Sequence, residues 1–153
     1  MRPLIFRGTF EYALDAKHRL TIPARYRGAL ADGVVLAFSP ETEPGTPRSL
    51  SIWPTDAYGE YAEAALAGVN PLSPRARETQ RMLNANSFDL EPDAANRLMI
   101  PAQALRYADL DKEVVITGSG PCLEVWDRAA YETYSEAALA RFPEIAASFD
   151  HAD

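Results

Sequence analysis

Cysteine occurs once, at Cys122, and histidine twice, at His18 and His151, in a chain of 153 residues. One thiol cannot close an intramolecular disulfide, and so few imidazoles exclude a Cys/His zinc site. Long apolar runs are missing as well: nothing approaches the ~20 consecutive apolar residues that span a bilayer. The N-terminal stretch from Met1 to Gly8 breaks off its apolar run too early for a secretory signal. The sequence has no glycine-rich phosphate loop, no nucleophile elbow and no cluster of histidine with carboxylates. The expectation is a soluble protein of a reducing, intracellular compartment, without enzymatic activity, metal, cofactor, small-molecule substrate or membrane partner.

What the chain does have is itself, twice. Asp15-Ala-Lys-His-Arg-Leu-Thr-Ile-Pro-Ala24 returns as Asp93-Ala-Ala-Asn-Arg-Leu-Met-Ile-Pro-Ala102, matching at seven of ten positions without a gap. Phe10 falls on Phe88 at the same spacing, while Trp53 and Tyr58 fall on Trp126 and Tyr131 at a slightly shorter one. An internal repeat decides the architecture before any residue-level reading does. We expect repeat 1 at 6–68, a linker and connecting helix at 69–83, repeat 2 at 84–142, and a C-terminal tail at 143–153.

Each repeat reads as two short strands around a tight turn, a short helix, a hairpin and a longer helix. In the first copy the strands are 9–13 and 20–22 around the turn 15–18. A helix follows at 24–30, then strands 34–38 and 50–53. Thr55 is placed to cap a helix presenting Tyr58, Tyr61, Ala62, Ala65 and Leu66 on one face, ended by Gly68. Ser73-Pro74 opens a connecting helix over 75–83. In the second copy the strands are 86–90 and 98–100, the short helix 101–107, and the hairpin 114–117 with 123–126 across Gly118-Ser-Gly-Pro121. Asp127 caps a last helix with Tyr131, Tyr134, Ala138 and Phe142 inward, and residues 151–153 form a frayed end. Strands this short do not make a stable sheet from one copy. Two copies that interleave bury each other's apolar faces, which favours one shared barrel over two separate beads. The fold class is α+β.

The net charge of −7 is unevenly spread. Residues 1–30 hold Arg2, Arg7, Lys17, Arg19, Arg25 and Arg27 against Glu11 and Asp15, a balance of +4 that leaves −11 for the remainder. This concentrates a positive field on one region of an acidic body, although short arginine-rich stretches also occur on ordinary solvated faces. In each repeat an aspartate precedes an arginine by four residues across the turn. Asp15 and Asp93 can accept backbone N–H groups there and orient the guanidiniums of Arg19 and Arg97. An arginine held in advance suits a phosphate or a guanine edge. Arg19, beside Lys17 and His18 and near Arg25 and Arg27, points to anion contact. Arg97 has no basic neighbour before Arg106, and closing its own loop is the stronger reading. Cys122, on a strand beside a turn, reads as buried. The tyrosines and tryptophans read as packing residues rather than base-stacking platforms.

These residues resemble the MraZ family, of the AbrB-like (SpoVT-AbrB) swapped-hairpin class. The matching stretches are Phe6-Arg-Gly8, Leu14-Asp-Ala-Lys17, Arg19, Ile22-Pro-Ala24, Asp93, Arg97-Leu-Met-Ile-Pro-Ala102, Glu124-Val-Trp-Asp127 and Tyr131. The resemblance implies a pseudo-twofold swapped-hairpin β-barrel built from two tandem repeats with flanking short helices. It also implies a cytoplasmic, nucleoid-associated transcriptional regulator, expected to repress a cluster for cell division and wall synthesis. Such a protein binds repeated promoter sites on double-stranded DNA as a closed, ring-like homo-oligomer. Lys17 and Arg19 carry most of the implied DNA contact, with Arg7 in support, and His18, Arg25 and Arg97 complete the candidate set. Asp15 and Asp93 are structural. The family usually has glycine where His18 and Asn96 stand, because the turn wants positive φ there; asparagine and histidine tolerate it better than most residues. Ala95 stands where Lys17 does, so equal DNA contact by both copies is not expected. The rival reading is an AbrB-like dimerisation or protein-interaction module that never touches DNA.

Overall fold

The repetition in the sequence reappears as a symmetry of strand pairing. The computed structural model describes residues 4–40 and 43–151; Arg2, Glu41 and the last two residues of the frayed end lie outside them. Its strands are β1 (Thr9–Ala13), β2 (Arg19–Thr21), β3 (Val34–Phe38), β4 (Leu50–Pro54), β5 (Ser87–Leu90), β6 (Arg97–Met99), β7 (Glu113–Gly118) and β8 (Leu123–Asp127). The helices are α1 (Arg27–Leu30), α2 (Thr55–Ala65), α3 (Pro74–Ala85), α4 (Ala102–Tyr107), α5 (Arg128–Ala140) and α6 (Phe142–Ala147), with 3-10 turns at Ala24–Tyr26 and Ser148–His151.

Six strands form one antiparallel sheet in the order β1-β7-β8-β4-β3-β5, and β2 pairs with β6 as a separate ribbon. The order is a palindrome of the repeats. The first strand of each copy lies against the third-position strand of the other: Phe10 faces Ile116, and Phe88 faces Leu36. At the centre Leu50 faces Val125, Ser51 faces Glu124 and Ile52 faces Leu123. In the ribbon Leu20 faces its own counterpart Leu98, flanked by Arg19 opposite Met99 and Thr21 opposite Arg97. Residues that meet their own repeat equivalents across antiparallel pairs place a pseudo-twofold axis between them. The two copies are therefore intertwined. Among the described residues they form an open sheet and a ribbon, and the single closed barrel expected from the sequence is not found.

The core follows from strand alternation. Val34, Leu36, Leu50, Ile52, Val114, Ile116, Leu123 and Val125 point to one side and join Leu20 and Leu98 of the ribbon, with Ile22 and Ile100 just beyond it, in one buried cluster. The other side is covered by helices. Trp53 packs on Tyr58 and Tyr61 of α2, and Trp126 on Tyr131 and Tyr134 of α5. Both indole N–H groups are satisfied, by Ser51 Oγ at 2.8 Å and Thr117 Oγ1 at 3.0 Å. The packing role expected for these aromatics holds. Cys122 is buried, and desolvation pushes its thiol up to about 11, so it stays neutral and unreactive.

Several local expectations are corrected. Thr55 is the first helical residue of α2 and makes no cap; Pro54 occupies that place with no side-chain hydrogen bond. The β2 and β6 strands begin one residue earlier than read, because Asp15 N–H donates to Arg19 O and Asp93 N–H to Arg97 O, closing each hairpin at the arginine. Phe142 does not point inward. It starts α6 and is exposed together with Leu139, Ile145 and Phe149. Ser73 and Asp127 do cap α3 and α5, accepting from Ala76 N and Ala130 N.

Candidate nucleic-acid interface

Each Asp-x-x-x-Arg motif folds into the same frame. In the first copy Asp15 Oδ1 accepts the backbone N–H groups of Lys17 and Arg19, both at 2.9 Å, and Oδ2 accepts Arg19 Nε at 2.6 Å. His18 N–H closes the turn onto Asp15 O at 2.9 Å. In the second copy Asp93 Oδ1 accepts Ala95 N and Arg97 N at 2.9 Å, and Oδ2 accepts Arg97 Nε at 3.0 Å. Asn96 N–H closes that turn. The fourth motif residue takes the left-handed conformation in both, with φ 58° at His18 and 59° at Asn96. Lone asparagine or histidine residues are among the few non-glycines that accept it.

Both carboxylates are held ionised by this frame. The Arg19 backbone N–H is the main reason Asp15 falls from 3.8 to about 2; the Arg19 side chain and the Lys17 N–H add to it against partial desolvation. Asp93 is lowered in the same way, first by the Arg97 backbone N–H. The anchored guanidiniums stay in reach of solvent, with the Arg19 side chain 26% exposed and that of Arg97 31%. Arg19 spends only its Nε on Asp15, and its terminal amino groups make no hydrogen bond to a described residue. Lys17 and His18 are exposed at the turn's tip.

The other first-copy bases gather round Tyr26. This buried tyrosine exchanges two hydrogen bonds with the backbone of Arg7, accepting from Arg7 N at 2.8 Å and donating to Arg7 O at 2.9 Å. Its ring packs on Phe6 and Phe10, and the guanidinium of Arg25 lies 5.8 Å from its centre. Arg7 and Arg25 are both exposed. The arm carrying Arg7 also crosses Gly118, where an added Cβ would sit 2.3 Å from Arg7 N. Arg27 is used locally, donating from Nε to Ile22 O at 3.3 Å. Lys17, His18 and Arg19 thus share one turn, and Arg7 and Arg25 share one tyrosine. Among the described residues no hydrogen bond or ion pair joins the two groups. The second-copy turn reaches the first through Arg97 Nη1, 3.7 Å from Asp15 Oδ2.

Sequence reasoning missed Tyr26 and Gly118. The signal for Tyr26 was a mismatch between copies: Ala104 stands at the equivalent place. Gly118 had been read only as part of a hairpin turn. Among the described residues no group of His, Cys, Asp and Glu could hold a metal, and no helix is long and apolar enough to cross a membrane.

The fold and the site define a class: a tandem-repeat α+β protein whose crossed copies each present an acid-anchored arginine turn. The comparisons narrow it further. The profile described as "MraZ protein, putative antitoxin-like" matches the chain twice, over residues 5–82 and 83–151. The transcriptional regulator MraZ of Mycoplasmoides gallisepticum is 38% identical over 146 residues, covering 95% of this chain and 98% of that protein. That of Cutibacterium acnes is 38% identical over 141 residues, covering 92% and 94%, and that of Mycolicibacterium smegmatis 37% over 133 residues, covering 87% and 88%. The chain belongs to the MraZ family, and these relatives bear the name of regulators rather than of enzymes.

Proposed function

We propose that the protein is a sequence-specific DNA-binding transcriptional regulator that meets double-stranded DNA through the first-copy turn. The observation that carries this reading is Arg19: fixed through Nε on Asp15, half-buried but in reach of solvent, and with terminal amino groups that make no hydrogen bond to a described residue. A guanidinium ordered before binding loses little rotamer freedom on meeting a phosphate or a guanine edge. Lys17 and His18 stand beside it, and Arg7 and Arg25 extend the basic face. Family membership supports the same reading, with cytoplasmic, nucleoid-associated localisation and repression of a cell-division and wall cluster as its extension. The crossed strands and the β2–β6 ribbon fit the intramolecular form of an AbrB-like swapped hairpin, with 6–68 and 84–142 as its arms and 69–83 linking them.

A few cations per chain give weak, salt-sensitive binding, because affinity scales with the phosphates neutralised. A closed homo-oligomeric ring on repeated promoter sites multiplies this through effective concentration. Exposed Leu139, Phe142, Ile145 and Phe149 support an assembling surface. Fluorescence anisotropy with duplex DNA from upstream of the protein's own coding sequence, titrated at rising salt, tests the proposal. Wild-type affinity is expected to fall steeply with salt. Arg19→Ala should lose about tenfold or more in affinity with the oligomer mass unchanged. A flat salt response contradicts DNA binding, and loss of assembly in Arg19→Ala favours the dimerisation-module reading.

A further inference from the structure

The two turns have the same internal frame but are not used alike. Arg19 and Arg97 lie on the outer face of the ribbon, on either side of the Leu20–Leu98 pair, as diagonal neighbours. Each guanidinium holds its own aspartate through Nε. Only one of them also reaches across: Arg97 Nη1 lies 3.7 Å from Asp15 Oδ2, and no described ion pair joins Arg19 to Asp93. Asp15 therefore faces two arginines and Asp93 one.

We propose that Arg97 is a positioning residue that acts through Asp15 to keep the terminal amino groups of Arg19 free for DNA. The idea rests on the reading of Arg19 given above. Asp15 Oδ1 already accepts two backbone N–H groups, and Oδ2 accepts Arg19 Nε. The remaining acceptor capacity lies on Oδ2. With Oδ1 filled, a terminal amino group of an unopposed Arg19 would share Oδ2 with its own Nε, which here would turn the outer nitrogens of Arg19 inward. Arg97 Nη1 lies 3.7 Å from that same oxygen, and its positive charge also repels a second nitrogen of Arg19. The ionisation of Asp15 is secured without it, by the backbone donors and Arg19. What Arg97 adds is direction. The second copy, whose turn carries Ala95 where the first has Lys17, thereby contributes to binding without touching DNA.

The test measures DNA affinity across a salt series for Arg97→Gln and Arg97→Lys, alone and combined with Asp15→Asn, on the full chain with its oligomer mass verified. Arg97→Gln is expected to bind roughly threefold to tenfold more weakly, as contacting charges couple. The salt slope should match wild type, Arg97→Lys should recover part of the loss, and the loss should vanish in the Asp15→Asn background. A slope lowered by about one unit marks a direct phosphate contact and overturns the proposal. So does unchanged affinity, or a loss that persists in Asp15→Asn. If Arg97→Gln lowers the melting temperature or oligomer mass, Arg97→Lys decides alone, because it keeps the charge without the fork. Failure of Arg19→Ala to weaken binding would instead sink the underlying DNA reading.

Discussion

The turns at Asp15–Arg19 and Asp93–Arg97 agree in every bond that holds them and differ in what surrounds them. Both aspartates accept two backbone N–H groups and an arginine Nε, and both fourth residues sit at positive φ. Yet one turn carries Lys17 and the other Ala95. Near the first, Tyr26 holds the Arg7 backbone and stacks under Arg25, whereas Ala104 has replaced that tyrosine in the second copy. The shared frame belongs to folding, since it closes the hairpins that cross at the pseudo-twofold axis. We assign the difference to function: on the reading proposed above, Lys17, Arg7 and Arg25 add to Arg19 the charge that would hold a polyanion. The motif's recurrence thus marks the fold, and its departures mark where the binding side is proposed.

The largest effects should be symmetric. Leu20→Ala and Leu98→Ala each empty the same fully buried contact, and each is expected to cost about 3 kcal/mol. Thermal or denaturant unfolding checks this; strongly unequal losses would break the scaffold half of the comparison. Next comes a substitution on β7 that presses on the first copy's N-terminal arm. Gly118→Ala forces a Cβ onto the Arg7 backbone, and overpacking of this kind costs roughly 1–3 kcal/mol. It should also detach the N-terminal arm, read as faster amide exchange at Arg7 and Gly120, while hydrogen exchange at the second-copy turn stays unchanged.

The charge difference gives smaller, opposite effects. Lys17→Ala should lower the salt slope of DNA binding by about one unit, with folding unaltered because the side chain is exposed. Ala95→Lys should raise affinity, by less than Lys17→Ala loses, since no basic arm accompanies it. An equal and opposite change would mean that the two turns meet DNA equivalently.

The smallest effect is one of pH. A carboxylate whose folded pKa is depressed stabilises the fold above its ordinary value, and that contribution is lost as pH falls through the folded value. For Asp15 the window runs from 3.8 down to about 2. Asp15→Asn should remove part of the acid-dependent stability loss in that window, followed by melting temperature against pH. Asp93→Asn should do so by less.

The repeat, the turns, the caps at Ser73 and Asp127 and the α+β class were legible because each is written in adjacent residues. The crossed pairing of β1 with β7 and of β3 with β5 was expected only as interleaving, because register between segments as far apart as Phe10 from Ile116 or Leu36 from Phe88 leaves no local pattern. The closed barrel expected from interleaving is not found among the described residues, which form a sheet and a ribbon. The start of β2 was displaced by one residue because the backbone bond from Asp15 N–H to Arg19 O already pairs the chain at Arg19. Phe142 looked like the next turn of an amphipathic helix. The chain instead breaks between α5 and α6 at Arg141, with Pro143 in the first turn of α6, and the ring faces out. Among the site residues, the anchoring of Arg19 and Arg97 was readable from spacing. The Tyr26 latch and the reach of Arg97 to Asp15 were not, since both join segments whose proximity only the fold creates.

Where DNA lies on the protein is answered most directly by photo-crosslinking. A photoreactive side chain placed at Lys17 is compared with the same group at exposed Glu132 on α5, each in the full chain with duplex DNA from upstream of its coding sequence. A covalent adduct from position 17 and none from 132 is the predicted result. An adduct from 132 and none from 17 would contradict it.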